Sequence, residues 1–156
     1  MSDIMLATDD GDFHLRSLGL LFYENNILLV HCPSGDYILP GGRVELMEDT
    51  KKTIVREIKE EADINVSIER LLFISEGFNI SPIVKSRRSH EVCFYYLLSC
   101  NTNSIKFKYE MAMIDKPSYK LCWIPIANAK EIKLFPAFLA HRLECLPITL
   151  EHIIET

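Results

Sequence analysis

The sequence predicts an α/β domain, in which strands precede and follow one well-marked helix. Three observations carry that expectation. Residues 50–62 contain no Gly or Pro and begin behind Glu48-Asp49-Thr50, whose side-chain oxygens suit a helix start. Residues 16–23 and 27–32 are rich in Leu, Val and Phe and are parted by Glu24-Asn25-Asn26, the pattern of a β-hairpin. Residues 91–100, EVCFYYLLSC, form a long, largely apolar run of the kind that becomes a strand buried on both faces.

The remaining elements follow from punctuation. Pro33-Ser34-Gly35-Asp36 is a turn cluster, and residues 37–39 make a short strand ended by Pro40 and the two glycines after it. Residues 64–68 and 71–77 read as two strands, and residues 79–89, with Pro82, as a polar loop. Residues 105–109 alternate apolar residues with lysine as an edge strand does, and residues 119–125 around Trp123 form another strand. Residues 126–133 carry a short helical pattern, and Pro136 suits the first position of a helix reaching Cys145. Residues 148–156 are compatible with packing, swapping or fraying.

A chain of 156 residues, 48% hydrophobic and 25% charged, fits one domain spanning residues 1–156. Its longest apolar runs are strand-sized, well below the roughly 20 residues of a membrane span, so no bilayer crossing is expected. The first residues lack the basic start and apolar run of a signal peptide, which makes the cytoplasm the expected location. Five cysteines without a CxxC pair point to free, mostly buried thiols. A net charge of −5 argues against nucleic acid or anionic membrane as a partner, although residues 85–88, KSRR, form a local basic cluster.

Chemistry concentrates in residues 39–64, LPGGRVELMEDTKKTIVREIKEEADI. At about 100° per residue, Ile54, Val55, Ile58 and Ala62 share one side of the helix, while Thr50, Thr53, Glu57, Glu60 and Glu61 share the adjoining side. Three carboxylates within one turn repel each other unless a divalent cation favours their charged forms. Hard oxygen ligands suit Mg²⁺ or Mn²⁺, which complete their shells with water and phosphate oxygens. Arg56, four residues before Glu60, can hold that carboxylate across a turn. Gly41-Gly42 permits close backbone approach, so that a main-chain carbonyl can join the metal sphere. A glutamate-rich helix alone is more often a solvated face. Five specified charges and a glycine at fixed spacing, however, arise by chance at about one in ten million per start site.

That pattern, Gly42, Glu48, Arg56, Glu57, Ile58, Glu60, Glu61, Asp63 and Ile64, resembles the Nudix box, Gly-x5-Glu-x7-Arg-Glu-apolar-x-Glu-Glu-x-Gly-apolar. The chain is similar to MutT-like Nudix hydrolases, and the preceding LPGG, the later HEVCFYYLL and Trp123-Ile124-Pro125 extend the likeness. Asp63 stands where the box has glycine, and Met47 where a glycine often precedes the loop glutamate.

The resemblance implies an α/β/α sandwich with a mixed sheet and hydrolysis of a nucleoside diphosphate linked to another group. It implies Glu57, Glu60 and Glu61 as metal ligands completed by the Gly41 carbonyl, with Glu48 in support and Arg56 orienting a glutamate. Glu57 or Glu60 would take a proton from water, with Glu110, His90 and Glu91 as weaker candidates for that role. Arg43, Arg87 and Arg88 are candidate contacts to substrate phosphate, and Phe78, Phe94, Tyr95 and Tyr96 candidates for stacking a base, although most of these aromatics suit the core better. Pro82, eighteen residues beyond Ile64, lies near but not at the position some fifteen residues past the box where ADP-ribose enzymes carry proline. Nucleoside triphosphates, ADP-ribose-like compounds and dinucleotides therefore all remain open as the nucleotide-type substrate. The competing expectation is a nucleotide-binding module without turnover, which usually lacks one or more box glutamates. A homodimer is compatible with the apolar C-terminal segment.

Overall fold

The computed structural model describes residues 1–80, 87–105 and 109–155. Its strands are β1 (Met5–Thr8), β2 (Gly11–Tyr23), β3 (Asn26–His31), β4 (Tyr37–Ile38), β5 (Gly41–Arg43), β6 (Val66–Ile80), β7 (Arg88–Cys100), β8 (Glu110–Ala112), β9 (Lys120–Pro125), β10 (Leu134–Phe135) and β11 (Glu151–Glu155). Among the described residues one α-helix, α1 (Thr50–Ala62), lies between β5 and β6. The strands form a mixed sheet with the path β10-β4-β3-β2-β7-β6-β11. β2 and β7 are parallel, as are β6 and β11, whereas β6 and β7 run antiparallel.

β2 is the frame of the site. Along one edge it pairs with β7 from Gly11 to Leu21, and it also pairs in turn with β1, β5 and β3. Glu24 and Asn25 both take positive φ, the geometry of a tight turn between right-twisted strands, which confirms the expected hairpin.

The helix matches its sequence signals. Asp49 accepts a hydrogen bond from Lys52 N at 2.9 Å and caps the N-terminus, and Asp63 closes the C-terminus in the left-handed region with its N–H donated to Lys59 O. Ile54 and Ile58 are wholly buried against Leu28, Tyr96, Leu98 and Trp123. Each such side chain contributes roughly 1.5–3 kcal/mol of burial. Val55, expected on the packed side, is instead exposed, while Thr53 and Glu61 are buried. The apolar stripe is thus rotated toward the carboxylates.

A second cluster, including Leu20, Leu29, Phe73 and Tyr95, is closed by Leu139 and Leu143. The segment after Pro136 that supplies them is a 3-10 helix (Ala137–His141) followed by turns, in place of the α-helix expected to reach Cys145. Pro136 does sit at its N-terminal boundary. Residues 126–128 form a 3-10 turn of the same kind.

Other boundaries shift because pairing overrides local composition. The two strands read at 64–68 and 71–77 are one continuous β6, kept in register with β7 by irregularities at Ile68/Arg70 and Leu71/Phe73. The hairpin extends to Ile80 and Arg88, so residues expected in a loop are strand. The edge strand expected at 105–109 lies mostly outside the described residues, as do Pro82 and Lys85. The C-terminal segment packs as β11 against β6. Among the described residues, no helix is long and apolar enough to cross a membrane, and the five cysteines are free, with Cys93 and Cys122 buried.

Both departures from the box pattern fall on left-handed backbone, at Met47 (φ 67°) and Asp63 (φ 55°). Met47 is 86% exposed, so a glycine there would remove strain and little else. Met47→Gly is expected to raise the unfolding free energy by about 0.5–1 kcal/mol. Asp63→Gly should gain less, because Asp tolerates this region and also accepts from Lys59. Urea unfolding measures both, and a destabilised Met47→Gly protein would show that its side chain contributes more than its backbone costs.

Candidate active site

The candidate site is the seam where β5 and its following loop meet α1. Gly41 takes φ 137°, and a Cβ there would lie 2.2 Å from Ser17 O, so only glycine fits against β2. Its position opposite Leu18 falls between the bonded pairs Gly19–Pro40 and Leu15–Val44, which turns its amide away from β2. That N–H donates to Glu61 Oε2 at 3.1 Å. At Gly42 a Cβ would lie 2.2 Å from Glu57 Oε1, so any larger residue would push the Glu57 carboxyl from this position.

Arg56 ties the loop to the helix. Its Nε and one terminal nitrogen bind the two oxygens of Glu48 at 2.9 and 3.0 Å, and its other terminal nitrogen reaches Glu57 Oε1 at 2.9 Å and Glu60 Oε2 at 3.2 Å. It also donates to Arg43 O at 3.3 Å. Glu48 accepts further bonds from Thr53 Oγ1 and Glu45 N. The Arg56 guanidinium holds the Glu48 carboxyl down at about 2, and Glu48 in return raises Arg56 above its ordinary value.

The helix carboxylates have the opposite environment. Glu61 is 2% exposed, and burial, then the charge of Glu57, pushes it up to about 8 despite the Gly41 N–H. Burial also raises Glu57, against the pull of Arg56. Glu60 is half exposed.

Arg43 flanks this group, partly exposed, with Asp3 Oδ2 at 3.4 Å. Arg87 and Arg88 are not brought to it. Arg87 clamps Asp12 (Nε to Oδ2, 2.7 Å) and Thr8 O, while Arg88 reaches Asp10. They staple the β1–β2 turn to β7 beside a cavity of about 510 Å³ lined in part by Phe13, Phe78 and His90. From Arg88 to Phe94, which pairs with Ser17, is roughly 20 Å of strand. Of the other side chains considered, Glu91 faces Arg16 at 3.8 Å, Glu110 binds Lys120 at 2.7 Å, and His90 lies between the rings of Phe13 and Phe78 with its buried Nε2 making no hydrogen bond among the described residues. Tyr95 and Tyr96 are buried in the two cores, and Phe94 packs against the helix-side core. Phe78 is about half exposed.

Two residues at the site carry no signal in the sequence. The loop between β8 and β9 returns to the helix, where Ile114 N donates to Glu61 O at 3.2 Å. It brings Asp115, whose charge raises Glu61, and Lys116, whose charge lowers both Glu57 and Glu61.

The model of the NUDIX domain matches residues 13–142. The chain belongs to the Nudix family. An ADP-ribose pyrophosphatase of Methanocaldococcus jannaschii is 29% identical over 92 residues, covering 56% of this chain and 52% of that protein. The chain thus spans about half the length of this curated relative. A MutT protein from Bacillus halodurans shares the fold at 18% identity over 92% of this chain and 90% of that one, with a TM-score of 0.64. An ADP-ribose pyrophosphatase from Streptococcus suis does so at 19% identity over 91% and 98%, with a TM-score of 0.53.

The donor chemistry fits the divalent cation that Nudix proteins generally use. Two buried or half-buried carboxylates that repel each other gain from a cation between them, and oxygen ligands suit Mg²⁺ or Mn²⁺. Among the described residues no three acidic, His or Cys side chains converge into a finished cage. Arg56 instead occupies the Glu57 and Glu60 oxygens, so a cation would have to draw them away.

Glu48 and Glu61 impose opposite pH dependences. Glu48, depressed from 4.5 to about 2, stabilises the fold above about pH 4.5, and that stabilisation is lost as the pH falls toward 2. Glu61, raised from 4.5 to about 8, leaves the fold most stable below 4.5 and less stable as the pH rises toward 8. Metal-free protein should therefore lose stability between pH 5 and 8. Glu61→Gln should flatten this decline and be more stable at pH 7.5, by on the order of 2 kcal/mol. Denaturation midpoints across this range test it, and a variant that is less stable at pH 7.5 would refute the assignment of strain to Glu61.

Proposed function

We propose that the protein is a divalent-metal-dependent Nudix pyrophosphohydrolase that cleaves a nucleoside diphosphate linked to another group. The observation that carries this reading is the buried Glu61 carboxylate beside Glu57, at a glycine pair shaped around both. Such a pair costs stability at neutral pH, and a cation-dependent function accounts for its presence.

In this reading Glu57, Glu60 and Glu61, with the Gly41 carbonyl, hold Mg²⁺ or Mn²⁺. A bound cation supplies charge neutralisation of the diphosphate and a lowered pKa for water. The chain's own residues do the rest. Arg56 stays pinned to both Glu48 oxygens beside Glu57 and Glu60, and whichever of these two carboxylates keeps an oxygen free of the cation takes the proton of the attacking water. Water oxygen bonds to phosphorus as the bridging oxygen leaves with its electron pair, giving a nucleoside monophosphate and the phosphorylated remainder of the substrate, which is inorganic pyrophosphate where the substrate is a nucleoside triphosphate. Arg43 lies where it can meet the substrate phosphate, at the cost of its contact to Asp3. Arg87 and Arg88, engaged elsewhere, are given no part in this chemistry.

The name of the Methanocaldococcus relative makes ADP-ribose the first compound to test. Dinucleotides and nucleoside triphosphates follow. The reading includes a cytoplasmic protein and a homodimer formed through the exposed Ile148 and Leu150 before β11 and Ile154 within it.

Purified protein with Mg²⁺ or Mn²⁺ is expected to cleave at least one of these compounds and to stop on addition of a chelator. Glu57→Gln and Glu61→Gln should each lower kcat about a hundredfold or more with the fold retained. Chromatographic detection of nucleoside monophosphate checks both. Tight binding without cleavage of any compound would replace this reading with that of a nucleotide-binding module.

A further inference from the structure

The hairpin of β8 and β9 is held against the carboxylate helix by bonds that do not involve its exposed side chains. Met113 is buried in the core beneath α1, and its N–H donates to Tyr119 O at 3.0 Å. Tyr119 N donates to Lys116 O at 2.9 Å, which closes the turn. Ile114 N then reaches the main-chain carbonyl of Glu61 itself. Lys116, two residues on, is exposed, so its ammonium is available to a ligand entering from solvent.

The charge balance of the seam gives that ammonium a purpose. Arg56 is saturated by Glu48, Glu57, Glu60 and the Arg43 carbonyl, and Arg43 faces Asp3. A diphosphate approaching Glu57 and Glu61 meets like charge, and Lys116 is a cation on the loop that Ile114 N bonds to the Glu61 carbonyl at 3.2 Å, where its charge lowers both carboxylates. A lysine binds phosphate as a mobile point charge and needs no fixed fork.

We propose that Lys116 is a substrate-binding residue, which contacts the anionic oxygens of the diphosphate from the β8–β9 hairpin and makes that hairpin the wall facing the helix carboxylates. This rests on the pyrophosphohydrolase reading for the identity of the ligand. A side chain that only offset Glu57 and Glu61 would behave differently: its removal would favour cation binding and leave diphosphate affinity unchanged or improved.

The test is calorimetric titration of ADP into the full chain at saturating Mg²⁺, with wild type, Lys116→Ala, Lys116→Arg and Lys116→Glu. Lys116→Ala should weaken ADP about tenfold or more, Lys116→Glu further, and Lys116→Arg should stay within a few-fold of wild type. Thermal midpoints should be unchanged, because the turn is closed through the Lys116 carbonyl. The ADP affinity of wild type should also fall with added salt more steeply than that of Lys116→Ala. Unchanged or stronger ADP binding by Lys116→Ala overturns the proposal and leaves the hydrolase reading standing. A wild type that binds ADP yet cleaves none of the compounds overturns the hydrolase reading, while the variants still decide Lys116. A wild type that binds no ADP overturns the Lys116 assignment and leaves the hydrolase reading to the cleavage assay.

Discussion

Arg56 makes contacts to Glu48, Glu57, Glu60 and the Arg43 carbonyl from a single guanidinium, and the geometry of the whole seam depends on them. Without that cation, one turn of helix and the loop before it would present only negative charge to one another. A lysine could neutralise one of these carboxylates but not span them, since the rigid fork binds both Glu48 oxygens while its far nitrogen faces the helix. The partners are only partly exposed, so solvent screens them less than a surface pair. Glu61, which accepts only the Gly41 N–H, is the carboxylate that a cation would serve most, while Glu57 and Glu60 would have to be drawn from Arg56.

The same seam shows where folding and chemistry compete. Gly42 leaves the space that the Glu57 carboxyl fills, and Gly41 leaves the space taken by β2. Glu61 is buried with one backbone donor and raised by its neighbour, a placement that packing alone would fill with an apolar residue. The fold supports this by anchoring the helix elsewhere: Ile54 and Ile58 are fully buried, Thr50 Oγ1 meets the Tyr96 hydroxyl at 2.7 Å, and Ser17 Oγ donates to Thr50 O.

How much of this was legible in the sequence follows from range. The helix, its cap at Asp49 and the array Glu48, Arg56, Glu57, Glu60 and Glu61 depend on spacing within about twenty residues, and spacing is visible in a linear chain. Asp63 and Met47 stood out against the box pattern as two places where glycine was expected and absent, and the structure finds both on left-handed backbone. Long-range pairing was not visible. β6 reads as two strands because Glu69-Arg70 interrupts its apolar pattern, yet β7 supplies hydrogen bonds along its length and absorbs the interruption in bulges. Arg87 and Arg88 look like a substrate clamp until Asp12 and Asp10, some 75 residues earlier, appear beside them.

The loop after β8 is the sharpest case of a feature that local pattern cannot carry. The last carbonyls of any helix lack intrahelical partners and must find donors elsewhere. At Glu61 the donor is the backbone N–H of Ile114, a group that every residue but proline owns, so the contact leaves no trace in the choice of side chain. The identity of residues 114–116 is thereby left free of the docking requirement, and Ile114, Asp115 and Lys116 are all exposed. A wall attached by main chain, carrying side chains that packing does not constrain, is where substrate preference can change without disturbing the carboxylates it faces.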